Sequence, residues 1–251
     1  MDRHAETAAL MLSAWHDPTQ KLNMLPTVLV PVDEAQAYAV QRQISGGLGA
    51  IGGWKVGAPG PEGPPSCAPL PASGIRPSPA RLPSSQFTLR GVEAEISFRL
   101  GADLPVRAEP YSRAEIIAAI ACCLPAIELL ESRFTHPDAL DKWTLLADGL
   151  THGGFVYGAP AANWQGIDFA GETVRLVVDG TVVKTSHANP AGDMIRLVQW
   201  LANTGAHWAG GLRAGQYVTC GSWTGKDYVG PNAHVQVEFT HAGAVSAEFS
   251  A

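Results

Sequence analysis

The chain has 251 residues, 46% of them hydrophobic and only 16% charged, which suits one globular protein with a sizeable core. Its formal net charge is −6 with no cluster of Lys and Arg, so neither nucleic acid nor an anionic membrane is expected as a partner. No run of about 18 apolar residues is present to span a bilayer, and Asp2, Arg3, His4, Glu6 and His16 interrupt the region where a signal peptide would be apolar. The four cysteines, Cys67, Cys122, Cys123 and Cys220, match no zinc spacing and read as reduced thiols of a cytoplasmic protein.

Residues 5–15, rich in Ala, Leu and Met, predict a first helix. Asp33-Glu-Ala-Gln36 resembles a capping box and opens a second, with Ala35, Tyr38, Ala39 and Ile44 on its apolar face and Gly46, Gly47 and Gly49 at its end. Residues 50–57 read as a short strand entering a turn. Residues 58–85, dense in Pro, Ser and Gly, predict ordered coil with short strands; a loop of that length in a compact domain usually covers a site. Strand pattern returns at 87–100. Ser112-Arg-Ala-Glu115 is a second capping box, opening a helix through Leu124 that Pro125 ends. Residues 126–130 read as a buried strand, 138–147 as helix and 153–158 as a short strand. Residues 174–178 and 181–185 flank Asp179-Gly180, a strong signal for a hairpin with a type I′ turn. Asn189-Pro190 precedes a helix over 191–208 with Met194, Ile195, Val198, Leu201 and Ala202 on its apolar side. Strands follow at 216–222 and 233–249, the latter a hairpin around His241-Ala-Gly243. Strands alternating irregularly with few helices predict an α+β fold with a β-rich core rather than a doubly wound sheet. The expected organisation is a single domain over 1–251, with an N-terminal helical portion at 1–50 and a β-rich catalytic core at 51–251.

The most informative stretch is Gly91-Val-Glu-Ala-Glu-Ile-Ser-Phe-Arg-Leu100. Successive strand side chains point to opposite faces, so Glu93 and Glu95 share one face. Two like charges on a half-buried face repel and lose hydration unless something positive sits between them. A hard divalent cation, which prefers oxygen ligands, meets that need. Glu128, the single carboxylate of the 126–130 strand, adds a third. Three carboxylates supply half an octahedral oxygen shell, which water or substrate oxygens complete. A lone Glu here would read as a solvated strand face; the three together read as metal ligands. Lys55 lies between Trp54 and Val56 with glycines at 52, 53 and 57, which let backbone approach a ligand closely. From the residues alone it is as readily a surface Lys at a strand end as a functional group. His152 reads as either a satisfied structural His or a substrate contact, and Ser222 and Thr224 as either a tight turn or a carboxylate cradle.

Several segments carry a resemblance to the 2-keto-4-pentenoate hydratase and 4-oxalocrotonate decarboxylase branch of the fumarylacetoacetate hydrolase superfamily. They are Gly53-Trp-Lys-Val-Gly57, Gly91-Val-Glu-Ala-Glu-Ile-Ser-Phe98, Pro125-Ala-Ile-Glu-Leu-Leu-Glu-Ser-Arg133, Ala147-Asp-Gly-Leu-Thr-His-Gly-Gly-Phe155 and Gly221-Ser-Trp-Thr-Gly225, in family order. The resemblance implies a β-roll core and a homo-oligomer, with an associated related hydratase or decarboxylase subunit conceivable. It implies that Glu93, Glu95 and Glu128 bind Mg²⁺ or Mn²⁺, Glu128 being preferred over Glu131 because it follows Pro-Ala-Ile. It favours Lys55 as a proton-handling or anion-binding residue, and Thr151, His152, Ser222 and Thr224 as substrate contacts. The implied activity is that of a lyase on a 2-hydroxy-dienoate or its 2-keto tautomer through a metal-stabilised enolate, hydratase-like first and decarboxylase-like second. A C–C hydrolase of acylpyruvates and a non-catalytic partner subunit rank below these. The chain departs from the family in two places: Ala68–Gly74 carries no Asp or Glu where many hydratases have an acid, and Ala147-Asp-Gly-Leu-Thr151 replaces the common Ala-Asp-Asn-Ala-Ser.

Overall fold

Two long apolar stretches, residues 91–100 and 120–130, pair with each other and organise the remaining elements. The computed structural model describes residues 2–250. The chain runs α1 (Arg3–His16), α2 (Glu34–Leu48), β1 (Ile51–Gly57), β2 (Ser66–Pro71), β3 (Ile75–Pro77), β4 (Ala80–Pro83), β5 (Gly91–Leu100) and β6 (Leu104–Pro105). It continues through α3 (Arg113–Ala119), β7 (Ile120–Leu130), α4 (Lys142–Ala147), β8 (His152–Tyr157), β9 (Thr173–Val178) and β10 (Thr181–His187). The last elements are α5 (Met194–Trp200), β11 (Gly211–Leu212), β12 (Tyr217–Thr219), β13 (Asp227–Tyr228), β14 (His234–Phe239) and β15 (Gly243–Ser250).

The larger sheet has the order β2-β1-β12-β5-β7-β8-β3, with β13 also paired to β5; a five-stranded sheet has the order β10-β9-β14-β15-β4. Strands β5 and β7 run antiparallel from Gly91↔Leu130 to Leu100↔Ile120. Their side chains divide by parity. Val92, Ala94, Ile96, Phe98, Ile127 and Leu129 face the main core, where they meet α5 and the second sheet. Glu93 and Glu95 point the other way, as does Glu128, directly across from Glu93. Helices α1, α2 and α4 form a separate small core with Phe134, built on Met11, Ala37, Val40, Ile44 and Leu146. Gln41 of α2 ties this layer down by donating to the carbonyls of Cys67 and Leu146.

The α+β architecture agrees with the sequence expectation, but several boundaries differ. Helix α3 has its Ser112–Glu115 capping box, yet it ends at Ala119 rather than Leu124, and Pro125 lies inside β7 opposite Ile96. The ladder offered by β5 replaces helical hydrogen bonds from Ile120 onward, so Cys122 and Cys123 are strand residues. Helix α2 runs through Gly46 and Gly47 to Leu48, and Gly49, at φ 95°, ends it; its buried face is Ala37, Val40, Gln41, Ile44 and Ser45, with Ala35 exposed. The predicted 191–208 helix begins only at Met194, capped by Asp193, and widens into a π turn over Leu201–Gly205. Asn203 there donates to and accepts from the Tyr111 backbone. The 174–185 hairpin has positive φ at both Asp179 and Gly180, as a type I′ turn demands. Two of the glycines beside Lys55 serve packing, a Cβ on Gly53 lying 2.6 Å from the Tyr217 carbonyl oxygen of β12 and one on Gly52 2.7 Å from the Ile75 side chain, whereas Gly57 lines the cavity beside Lys55.

Phe134 is fully buried in the small core of the helical layer. Phe134→Ala is expected to lower unfolding free energy by about 3–5 kcal/mol, measured by urea denaturation with the midpoint shifted and the slope retained.

Candidate functional site

The β5–β7 register brings Glu93, Glu95 and Glu128 together: one oxygen from each lies within 4.8 Å of the others. Glu95 is 1% exposed and Glu128 0%. Lys55 reaches them from β1, because the parallel β1–β12 pairing sets Lys55 level with Thr219 and Thr219 is set opposite Ser97 of β5. The Lys55 Nζ donates to Glu128 Oε1 at 2.6 Å and to the Leu150 carbonyl at 3.0 Å. His152 Nδ1 lies 3.1 Å from the same Glu128 oxygen. Thr219, a residue that the sequence reading did not single out, donates its hydroxyl to Glu95 Oε2.

These contacts divide the carboxylates electrostatically. Burial pushes the Glu128 carboxyl up, but the Lys55 charge and the His152 hydrogen bond outweigh it and hold it below the usual range. Burial and then the Glu128 charge push Glu93 from 4.5 to about 6. Burial, Glu128 and Glu93 together raise Glu95 well above its ordinary value. Burial alone would lower the Lys55 ammonium; Glu128, then Glu93, reverse that and leave it raised. Burial lowers His152, which favours the neutral imidazole, and a proton on Nδ1 would then be given to Glu128.

The remaining sequence candidates separate. Thr151 and Ser222 line a cavity of about 220 Å³ together with Lys55, Glu93, Glu95 and Leu150. His152 is buried behind Glu128 and does not line that cavity. Thr224 also differs from expectation: it is buried, its hydroxyl accepts from the Ala94 N–H and donates to the Gly225 carbonyl, and it serves the backbone of β5. Glu131 is taken up by Lys21 and by the N–H groups of Leu89 and Ser132. Ser73, within the loop that lacks an acid, lines a different cavity beside Arg76, Gln86 and Glu131. Sequence reasoning also missed Lys226, which lines the triad cavity; its only signal was its place one residue after Gly221-Ser-Trp-Thr-Gly225.

The segment joining α4 to β8 is strained. Gly149, Leu150 and Thr151 have φ of 64°, 56° and 61°, a conformation that a β-branched Thr rarely adopts. Arg133 holds the segment, donating to the Asp148 carboxylate and carbonyl and to the His152 carbonyl. The strain turns the Leu150 carbonyl toward Lys55.

The donor set fits a hard divalent cation. All three groups are oxygen ligands, and Glu128 Oε2 is buried with no hydrogen-bond partner, which costs free energy unless an ion or water satisfies it.

No protein-family model matches the chain. The 2-keto-4-pentenoate hydratase of Paraburkholderia phymatum is 28% identical over 268 residues, covering 99% of this chain and 98% of that protein. The 4-oxalocrotonate decarboxylase of a Pseudomonas species is 29% identical over 62% of this chain and 59% of that one. The solved structure of the 4-oxalocrotonate decarboxylase from Pseudomonas putida G7, complexed with magnesium and adipate, superposes with a TM-score of 0.86 at 24% identity, over 99% of this chain and 97% of that one. These likenesses support the resemblance of the chain to the 2-keto-4-pentenoate hydratase and 4-oxalocrotonate decarboxylase family. The chain's fold is that of the fumarylacetoacetate hydrolase superfamily. Among the described residues, no helix is long and apolar enough to cross a membrane.

The raised carboxyls of Glu93 and Glu95 carry a pH consequence. A carboxyl whose pKa is higher in the folded state holds its proton more tightly there than when unfolded. Folding stability contributed by that proton is therefore present below 4.5 and lost as pH rises through about 6, the value at Glu93. A divalent cation held by the three carboxylates would take the place of the proton. The rise in Tm on saturation with Mg²⁺ is expected to be several degrees larger near pH ~8 than near pH ~5; equal rises in differential scanning calorimetry would contradict this.

Proposed function

We propose that this chain is a divalent-metal-dependent lyase of 2-hydroxy-dienoates or their 2-keto tautomers, hydratase-like, working on a small-molecule 2-keto acid. The observation that carries the reading is the buried cluster of Glu93, Glu95 and Glu128 beside Lys55, with one carboxylate oxygen left unpartnered, in a family of hydratases and decarboxylases. The three carboxylates would hold Mg²⁺ or Mn²⁺; magnesium is the ion named with the decarboxylase of similar fold. When bound, the cation supplies positive charge at the oxygens of a 2-keto acid.

The chain's own residues do the rest. Lys55 holds a proton at Nζ, kept there by Glu128, and delivers it to the reacting end of the substrate. Thr151 and Ser222 line the cavity wall, where their hydroxyls, which donate to the Leu150 and Gly225 carbonyls, would turn to a substrate carboxylate. His152 positions Glu128 from behind, as outer-shell partners position metal ligands. Val56, Leu145 and Leu150 supply the apolar part of the wall and limit water.

Decarboxylation is the second reading, and a specific observation favours it. Hydration needs an activated water, and the loop that carries an acid in many hydratases carries Ser73 here, facing another cavity. Loss of CO₂ requires charge stabilisation and proton delivery but no activated water. Either reaction would run in a cytoplasmic homo-oligomer; exposed Met24, Val28 and Val32 suit subunit contact.

Glu95→Gln is expected to remove the Mg²⁺-dependent rise in Tm and to lower turnover by at least about 100-fold. A spectrophotometric screen of 2-hydroxy-dienoates, run with and without Mg²⁺ and Mn²⁺, then separates the two reactions. Absorbance loss without CO₂ selects hydration, and loss with CO₂ selects decarboxylation. Retained metal binding and turnover in Glu95→Gln would sink the assignment.

A further inference from the structure

We propose that Trp15 and Arg133 form a positioning clamp for Lys55, through which the N-terminal helical layer sets how the Lys55 ammonium is held. The inference rests on the reading of Lys55 as the proton-bearing residue of the carboxylate site. It adds residues outside the cavity that Lys55 lines, acting on it through one backbone carbonyl.

Each carbonyl from Asp148 to His152 has a hydrogen-bond partner. Arg133 takes the first and the last, donating from Nη2 to Asp148 and from Nη1 to His152. The His152 N–H donates to the Gly149 carbonyl, and the Glu131 N–H donates to that of Thr151 at 2.9 Å. The Leu150 carbonyl is the one that turns to the site, where it accepts from Lys55 Nζ at 3.0 Å; it also accepts from the Thr151 hydroxyl. One guanidinium therefore fastens both ends of the left-handed stretch whose middle carbonyl meets the ammonium. The planar fork of an Arg suits this task, and the point charge of a Lys does not.

The guanidinium is in turn held from α1. Its Cζ lies over the ring of Trp15, the penultimate residue of that helix, 4.5 Å from the centroid, well inside cation–π range. Arg133 is 4% exposed, and a cation–π contact strengthens as water is excluded. Both residues also line a cavity of about 330 Å³. Without the indole, water from that cavity competes for the guanidinium N–H groups. The chain that leaves α1 returns to the same point. The Leu22 N–H donates to the Arg133 carbonyl at 2.8 Å, and the Leu22 carbonyl accepts from the Thr135 N–H at 2.9 Å. The N-terminal layer thus grips Arg133 by its backbone and by its side chain, and Arg133 passes that grip to Leu150.

The test is a nitrogen–proton correlation spectrum of the isotope-labelled, ion-free chain at low temperature. An ammonium fixed by two acceptors exchanges its protons slowly and gives its own cross-peak, and K55R, which removes it, assigns it. W15L is expected to speed proton exchange at that cross-peak about tenfold, and W15F, which keeps an aromatic face, to leave it within about twofold of the unaltered chain. R133K, which keeps the charge and loses the fork, is expected to erase the cross-peak. Turnover of the dienoate that the unaltered chain accepts should follow, with kcat about tenfold lower in W15L, KM within about twofold, and kcat restored in W15F. Absence of the cross-peak in the unaltered chain overturns the proposal, as does a cross-peak unmoved in W15L or moved equally in W15F. An unchanged kcat beside a moved cross-peak overturns it as well, and so does weakened Mg²⁺ binding with the cross-peak unmoved, because the clamp then acts through His152 on Glu128. If the unaltered chain turns over no dienoate, the reading of the site fails, while the cross-peak still decides whether the clamp holds Lys55.

Discussion

The constraint on which the structure depends is the burial of three carboxylates around the Glu93↔Glu128 pair with one ammonium among them. Removing a charge from water costs several kcal/mol even after local relaxation, and a partner offsets that cost only with close geometry. Lys55 offsets one carboxylate, Glu128, at 2.6 Å. Glu93 and Glu95 remain, and their raised pKa values express the deficit. A flexible scaffold would relieve it by spreading the groups apart. Here the β5–β7 ladder prevents that, because both strands are apolar and covered on their core face, and a slip by one residue would turn every Glu into the core. The hydrophobic packing of Ala94, Ile96, Phe98, Ile127 and Leu129 thus supplies the rigidity that keeps like charges together.

The same logic explains the strained turn after α4. Leu150 and Thr151 both occupy the left-handed region, which costs on the order of 1–3 kcal/mol for each such residue. The buried Arg133–Asp148 pair offsets that cost through hydrogen bonds to both ends of the segment. What the turn provides is a carbonyl facing Lys55. Glu128 and that carbonyl both accept from the ammonium, which is held beside the cavity that Lys55 lines. Positioning of the proton therefore depends on a residue, Arg133, that lies outside the cavity.

Much of this was legible in the sequence because it is local. Period-two alternation alone assigns Glu93 and Glu95 to one face, whereas the choice of Glu128 over Glu131 comes from the resemblance, in which the ligand follows Pro-Ala-Ile. The hairpin at Asp179-Gly180 and the capping box at Ser112 depend on a few neighbouring residues and appear where the sequence places them. What escaped depends on distant pairing. Residues 120–124 have a helix-compatible pattern, and only β5, more than twenty residues earlier, makes them strand. Thr219 and Lys226 reach the triad because β12 and β13 pair with β5 across more than a hundred residues. Gly221-Ser-Trp-Thr-Gly225 marks a turn but does not say which hydroxyl faces the cavity; Ser222 does, and Thr224 is spent on the Ala94 N–H.

A site assembled in this way couples stability to occupancy. Without an ion, the cluster keeps like charges close together, yet it is carried on the two longest strands of the described residues, so the repulsion appears as proton uptake rather than unfolding. An ion that binds the folded chain and not the unfolded one contributes stability according to its concentration and affinity, and most where the protons have already left. The three glutamates are consequently costly as structural residues and favourable as ligands. That asymmetry is the physical reason for expecting a cation at this point in the sheet, independent of any relative.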